Sequence, residues 1–241
     1  MNKKIKKIGI IGAMEQEVAR LKDILEDVEV SHIAAMDFYE GKMHGTPVVI
    51  VRSGVGKVNA SICTQILIDR YQADAIINTG IAGSLDASID IGDIVVSTDL
   101  IQHDVDARVF GYAPGEIPQL KKLSFAADEH MRRLAAEICR QEIPGIHVHE
   151  GRIASGDIFV SSKEKKEEIA ATFAASAAEM EGAAIAQTAW LNRIPFVVLR
   201  AISDKADGSA FMDYDAFESL AIEHSLILTE KFVERFIQSE G

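Results

Sequence analysis

Two stretches of the chain, 75–78 and 195–202, are apolar at successive positions instead of alternate ones, the first up to its closing Asn78 and the second broken only by Arg200. A strand that is apolar on both faces must be covered on both, which is the arrangement of a central sheet between layers of helices. The intervening sequence supplies those layers. Residues 5–14 read as a strand, and 16–27 follow with helical spacing at Val18, Leu21 and Leu25. Short strands are predicted at 31–35, 38–43 and 47–53. Residues 57–71 read as a helix, with Val58, Ile62 and Ile66 four apart and Cys63 and Leu67 beside them. The strand 75–78 runs into Thr79-Gly80-Ile81-Ala82-Gly83, which reads as a turn. Further strands are predicted at 93–98 and 146–154, the latter followed by a turn at Gly156-Asp157. Helices are predicted at 127–141, 163–175, 180–192 and 213–236. Residues 102–125 carry Gly and Pro and read as a long loop, a length that usually signals function or a partner that covers it. With no linker, repeat or low-complexity tract, the expectation is one α/β domain over residues 1–241, a central mixed β-sheet flanked by helices on both faces. Ligands in such folds gather at the carboxyl ends of strands. That directs attention to 14–17, 53–57, 78–83, 155–160 and Ser203-Asp204.

Charge narrows the partners. The formal net charge is −12 over 241 residues, which argues against nucleic acid, whose phosphates need clustered Lys and Arg, and against an anionic membrane surface. The one basic cluster, Lys3, Lys4, Lys6 and Lys7, reads as the solvated start of the first strand. No run reaches the roughly 18 apolar residues of a membrane span, and the apolar stretch after Lys7 is too short for a signal peptide. Cys63 and Cys139 fall in helical stretches and read as free thiols of a reducing compartment. The protein is expected in the cytoplasm.

Several tempting motifs fail. Gly54-Val55-Gly56-Lys57 has Val51 and Val58 where a phosphate loop needs Gly and Ser or Thr. Gly9 and Gly12 lack the third Gly of a dinucleotide fingerprint. His103, beside Asp104 and Asp106, raises a metal site, but a solvated polar loop explains it more simply, and no Cys/His spacing supports a metal.

Glu17, Glu181 and Asp204 each stand where the sheet would present a ligand. Singly, each has a simple explanation: an acid in a first helical turn complements the macrodipole, and Asp204 precedes a turn-like Lys205-Ala206-Asp207-Gly208. Arg200 is sharper. A guanidinium in an apolar strand needs a carboxylate or a wet cavity, and its partner is either a structural carboxylate or one in the site.

In order along the chain, Ile8-Gly-Ile-Ile-Gly-Ala-Met-Glu-Gln-Glu17, Ser53-Gly-Val-Gly-Lys57, Ile77-Asn-Thr-Gly80, Ile91-Gly-Asp-Ile-Val-Val-Ser97, His103-Asp-Val-Asp106, Ser155-Gly-Asp-Ile-Phe-Val160, Glu179-Met-Glu181 and Arg200-Ala-Ile-Ser-Asp204 resemble the 5′-methylthioadenosine/S-adenosylhomocysteine nucleosidases. The resemblance implies a nucleoside phosphorylase-like fold, a homodimer and no cofactor. It implies hydrolysis of the N-glycosidic bond of 5′-methylthioadenosine, S-adenosylhomocysteine and 5′-deoxyadenosine, in methionine salvage and the recycling of S-adenosylmethionine by-products. Position by position, Asp204 would protonate adenine N7, with Ser203 holding its side chain. Glu17 would activate water near Arg200, and Glu181 would bind the ribose hydroxyls. Phe159 would stack on adenine, with the Val160 backbone at its edge. Met180 would pack against the sugar, Met14, Val55 and Tyr214 would line the sugar and 5′ side, and Ile81, Ala82 and Gly83 would complete the pocket. Phe110 and Pro118 would close the neighbouring subunit's 5′ pocket, a reason for the long loop.

The chemistry agrees. Cleaving an N-glycosidic bond leaves electrons on the purine and positive charge on the ribose. An acid at N7 neutralises the leaving group, and a carboxylate under the ribose favours the developing cation. Such an Asp needs burial or a nearby negative charge to stay protonated. Two positions depart from the family's usual pattern: Ile81 replaces a common Ser and Tyr214 a common Phe, which bears on substrate preference. Rival readings are a purine nucleoside phosphorylase, a 6-amino-6-deoxyfutalosine nucleosidase of menaquinone synthesis, and a non-catalytic nucleoside-binding module. Phosphate needs converging cations, yet the first strand–helix turn, Gly12-Ala-Met-Glu-Gln-Glu17, offers only acids. The binding module would have little use for three placed carboxylates.

Overall fold

The computed structural model describes residues 6–205 and 210–239, without the side chains of 210–217 and 237–239. Lys3, Lys4 and the side chain of Tyr214 therefore lie outside the described residues. Along the described chain the strands are β1 (Ile8–Gly12), β2 (Glu26–Ile33), β3 (Met36–Met43), β4 (Thr46–Arg52), β5 (Ala75–Ser84), β6 (Ile94–Gln102), β7 (Phe125–Ala126), β8 (Val148–Ser155), β9 (Ala177–Glu179) and β10 (Phe196–Asp204). The helices are α1 (Ala19–Asp23), α2 (Lys57–Asp69), α3 (Glu129–Glu142), α4 (Lys163–Phe173), α5 (Gly182–Asn192) and α6 (Ala210–Ser239).

All the strands belong to one mixed sheet. β1 runs parallel between β4 and β5, and β3 and β2 extend the sheet outward from β4 as antiparallel neighbours. On its other side β5 pairs in parallel with β10. From there β10 pairs with β6, β6 with β8, β8 with β9, and β9 returns to the last residues of β5. Five strands thus close a ring, and β1, β4, β3 and β2 form a wing from it.

The apolar strands are covered on both sides, as the sequence requires. In β10, Val197, Leu199 and Ala201 face the core under α3 and α6. Phe196, Val198 and Ile202 face the other core, under α2 and α5. A smaller cluster, with Ile169 and Phe173 of α4, covers the ends of β6 and β8. Every residue of β10 is buried, Arg200, Ser203 and Asp204 included. Between Ile202 and Asp204 the pairing with β5 slips by one residue, so Ser203 and Asp204 together answer to Gly83.

Four local expectations are corrected. The helix expected over 16–27 is a 3₁₀ turn, Glu15–Glu17, and the short α1, because the Glu17 carboxylate folds back onto backbone N–H groups and the chain from Glu26 joins the sheet edge. The strand expected at 31–35 covers Glu26–Ile33 instead, and Ala34 and Ala35, at φ 50° and 60°, make the hairpin turn into β3. Two left-handed residues suit the twist of a hairpin, but alanines carry no sequence signal for it. The turn expected at 79–83 is strand, since β5 continues to Ser84. Finally, α5 begins at Gly182, not at 180, after the short strand β9. No helix among the described residues is long and apolar enough to cross a membrane.

Candidate active site

The carboxyl ends of β1, β5, β9 and β10 surround a cavity of about 250 Å³, the scale of a small molecule. Its wall contains Met14, Glu17, Val55, Ile81, Ala82, Gly83, Phe159, Val160, Met180, Glu181, Ser203 and Asp204, all picked out from the sequence. Ile158 and Phe159 stand about half exposed at its mouth. Phe110, on the 3₁₀ turn Arg108–Phe110, and Pro118 are exposed and do not line this chain's own cavity. Arg200 lies behind the wall. Ala13, Ile158, Ala178, Lys166 and Glu179 also line it, residues to which the sequence assigned no role in the site.

Glu17 is buried, and both oxygens of its carboxylate accept backbone N–H groups. One oxygen accepts the N–H groups of Ala13 (2.7 Å) and Met14 (2.9 Å), and the other accepts that of Ile81 (3.2 Å). A Cβ on Gly80 would sit 2.5 Å from Glu17 Oε1, and one on Gly83 2.9 Å from Asp204 Oδ2. The glycines of β5 are therefore places where carboxylates lean on the strand, not turn residues. Burial pushes the Glu17 carboxyl upward from its ordinary value, against the pull of Arg200 and those N–H groups.

Glu181 does not serve its helix. The carboxylate that accepts the first N–H groups of α5 belongs to Glu179, from Glu181 (3.1 Å) and Gly182 (2.7 Å). Glu181 instead accepts the N–H of Gly56 at 2.8 Å, across the cavity. Burial, and then the negative charge of Glu179, push it up to about 7, with Arg200 opposing.

Arg200 ties these acids together. Its guanidinium donates to Glu179 and, at 2.6 Å, to Asn78 Oδ1, and it lies 3.9 Å from Glu181. Although burial disfavours its charge, Glu179, Glu181 and Glu17 hold the guanidinium more firmly protonated than in water. The partner left open by the sequence is thus a supporting carboxylate, Glu179, with Glu181 and Glu17 close by.

Asp204 is buried, as an acid in this role requires, and its neighbour is a cation: Lys166 Nζ stands 2.5 Å from Oδ2, while Ser203 Oγ donates to Oδ1 at 3.1 Å. Lys166 lies in the charged run Lys163-Glu-Lys-Lys-Glu-Glu168 of the expected helix 163–175. Its spacing with Ile169 and Phe173, the other buried residues of α4, was the available signal. Lys57 turns away from the cavity to Asp104 (2.6 Å) and Gln102 (3.0 Å). Asp104 also accepts the N–H of Asp157, so this stretch is pinned rather than solvated as expected. Among the described residues no cluster of His, Cys, Asp and Glu is arranged to hold a metal.

Comparison with known proteins decides the family. Residues 7–234 match the model of the phosphorylase superfamily. A 5′-methylthioadenosine/S-adenosylhomocysteine nucleosidase of Staphylococcus saprophyticus is 45% identical over 96% of this chain and 99% of its own. The chain belongs to the 5′-methylthioadenosine/S-adenosylhomocysteine nucleosidases. As such it is a hydrolase of N-glycosidic bonds. The Neisseria meningitidis nucleosidase, solved with methylthio-immucillin-A, superposes with a TM-score of 0.90 at 40% identity, over 95% of this chain and 99% of that one. Futalosine hydrolase of Helicobacter pylori also superposes at 0.90, with 36% identity over 96% of this chain and 98% of that one.

Proposed function

We propose that this nucleosidase cleaves adenine from 5′-methylthioadenosine and S-adenosylhomocysteine, and from 5′-deoxyadenosine, using water, in the cytoplasm and in the service of methionine salvage. The observation that carries the reading is the convergence of Glu17, Glu181 and Asp204 on one cavity with apolar walls. Asp204, held by Ser203, gives a proton to N7 as the bond from the sugar to N9 breaks. Glu17 takes a proton from the attacking water. Glu181 accepts the ribose hydroxyls, and its charge favours the cation forming on the sugar. Phe159 and Val160 bracket the purine. Met14, Val55, Ile81, Ala82, Gly83 and Met180 enclose the sugar, and Tyr214 is assigned to the 5′ side. Water is favoured over phosphate by charge: among the described lining residues the cation is Lys166, and Asp204 already engages it. The deciding experiment follows adenine and methylthioribose from 5′-methylthioadenosine without phosphate. Release that needs phosphate and yields a ribose 1-phosphate would overturn the proposal. The likeness to futalosine hydrolase supports a second substrate, 6-amino-6-deoxyfutalosine, to be compared by kcat/KM in the same assay.

A homodimer completes the pocket in this reading, with Phe110 and Pro118 reaching the neighbouring subunit. Phe110 is 80% exposed and Val109 86%, an apolar tip that water alone covers poorly. Light scattering at micromolar concentration is expected to give twice the 26.3 kDa chain mass, and the chain mass itself would refute the dimer.

The raised carboxyls set a pH dependence. Glu17 must be ionised to accept a proton, so kcat/KM is expected to fall on the acid side at a pH above the ordinary 4.5 of a glutamic acid. An acid limb at or below that value would remove Glu17 from this role. Stability moves the other way. The folded protein holds the Glu181 proton more tightly than the unfolded chain, so this stabilisation is complete below 4.5 and is lost as pH rises through about 7. Thermal unfolding across that window reads it directly.

A further inference from the structure

The chemistry above leaves the buried cation of the cavity wall, Lys166, unused. Its side chain is 2% exposed, on the inward face of α4 beside Ile169 and Phe173. Among the described residues the ammonium donates at two points by the end of β10: to Asp204 Oδ2 at 2.5 Å and to the carbonyl oxygen of Lys205. Removing an ammonium from water is costly, and an apolar side chain of similar volume would serve packing at least as well. A lysine kept at such a place, in contact with the proposed acid, points to use.

Resting on the nucleosidase reading, we propose that Lys166 is a positioning residue for proton transfer to the purine. It fixes the Asp204 carboxyl and the Lys205 backbone at the cavity edge, and it stabilises the carboxylate that the transfer creates. In the step, the carboxyl proton of Asp204 passes to N7, and the bond from C1′ to N9 breaks with its electron pair entering the purine. Water adds to C1′ and yields a proton to Glu17. Asp204 is left anionic beside the ammonium, and the charge-assisted hydrogen bond strengthens as that charge appears. Lys166 keeps its own protons throughout. When adenine leaves, Asp204 regains a proton from solvent and Glu17 releases one.

The test compares two substrates on the same preparations of wild type, Lys166→Met and Lys166→Arg. One is 5′-methylthioadenosine, and the other carries 4-nitrophenolate in place of adenine on the same 5-methylthioribose. Nitrophenolate departs as a stable anion and needs no proton. For Lys166→Met, kcat on the nucleoside is expected to fall by about 10²-fold, with KM within about threefold. Cleavage of the nitrophenyl glycoside should stay within about twofold of wild type, and Lys166→Arg should recover part of the lost nucleoside activity. Unchanged kcat on the nucleoside, or an equal loss on both substrates, overturns the proposal. Should Lys166→Met not fold, Lys166→Arg decides by the same ratio, since it keeps the charge but moves it: a loss confined to the nucleoside supports the role, and an unchanged ratio refutes it. A wild type inactive on the nucleoside would overturn the nucleosidase reading itself. An active wild type with variants of unchanged ratio would overturn only the role of Lys166.

Discussion

Asp204→Asn is expected to lower kcat for adenine release from 5′-methylthioadenosine by about 10³-fold, within the range a positioned acid contributes. The amide keeps the size of the side chain and an oxygen for Lys166, but it has no carboxyl proton to give N7. Since the contact with N7 matters most as the bond breaks, the loss belongs in kcat, with KM changed by no more than about tenfold. The same variant should cleave a nitrophenyl glycoside nearly as fast as wild type. Asp204→Asn that released adenine at the wild-type rate would end the assignment.

The largest expected effect on stability is at Arg200. Arg200→Met would fill a similar volume, but it removes the charge that Glu179, Glu181 and Glu17 share and the donor to Asn78. Breaking a buried pair from one side typically costs about 3–5 kcal/mol, which for a chain of this length lowers Tm on the order of 10 °C. Lysine is expected to rescue little, because a point ammonium cannot reach Asn78 and Glu179 with the spread of a guanidinium. Removing one acid along with the cation, in Arg200→Met with Glu179→Gln, should recover part of the loss, since fewer buried charges are then uncompensated. Calorimetry of the three variants at one pH tests this. A Tm for Arg200→Met within about 2 °C of wild type would mean that the acids are neutral in the folded protein and need no cation.

The layers and the two-sided cover of 195–202 were legible in the sequence, because apolar runs and helical spacing are local signals, while most of the cavity wall was named only through the family resemblance. What escaped was set by partners distant in the chain. Gly80 and Gly83 look like turn residues until Glu17 and Asp204 are seen to lie against them. Glu181 looks like a helix-terminal acid, yet Glu179 two residues earlier takes that place. Ala34 and Ala35 adopt left-handed backbone with no residue type to announce it. Lys166 stands in a charged run, and only its spacing with Ile169 and Phe173 marks it as inward-facing. The wing hairpin of β2 and β3 has a largely exposed outer strand, and its register follows from pairing, which no short window of sequence contains.

The slip in pairing between Ile202 and Asp204 makes residue count a chemical variable in this protein. In an unbroken strand the residue after Ile202 would face Gly83 and point to the opposite side of the sheet from Ile202, since side chains alternate. Two residues stand there instead, so Asp204 keeps Gly83 as its neighbour while the extra residue re-aims its carboxyl. A shorter β10 could hold an aspartate at the same height on the sheet and still present it to the wrong layer of helices. In this chain the number of residues between Arg200 and Asp204 therefore decides which side of the sheet the carboxyl meets, as much as the aspartate itself does.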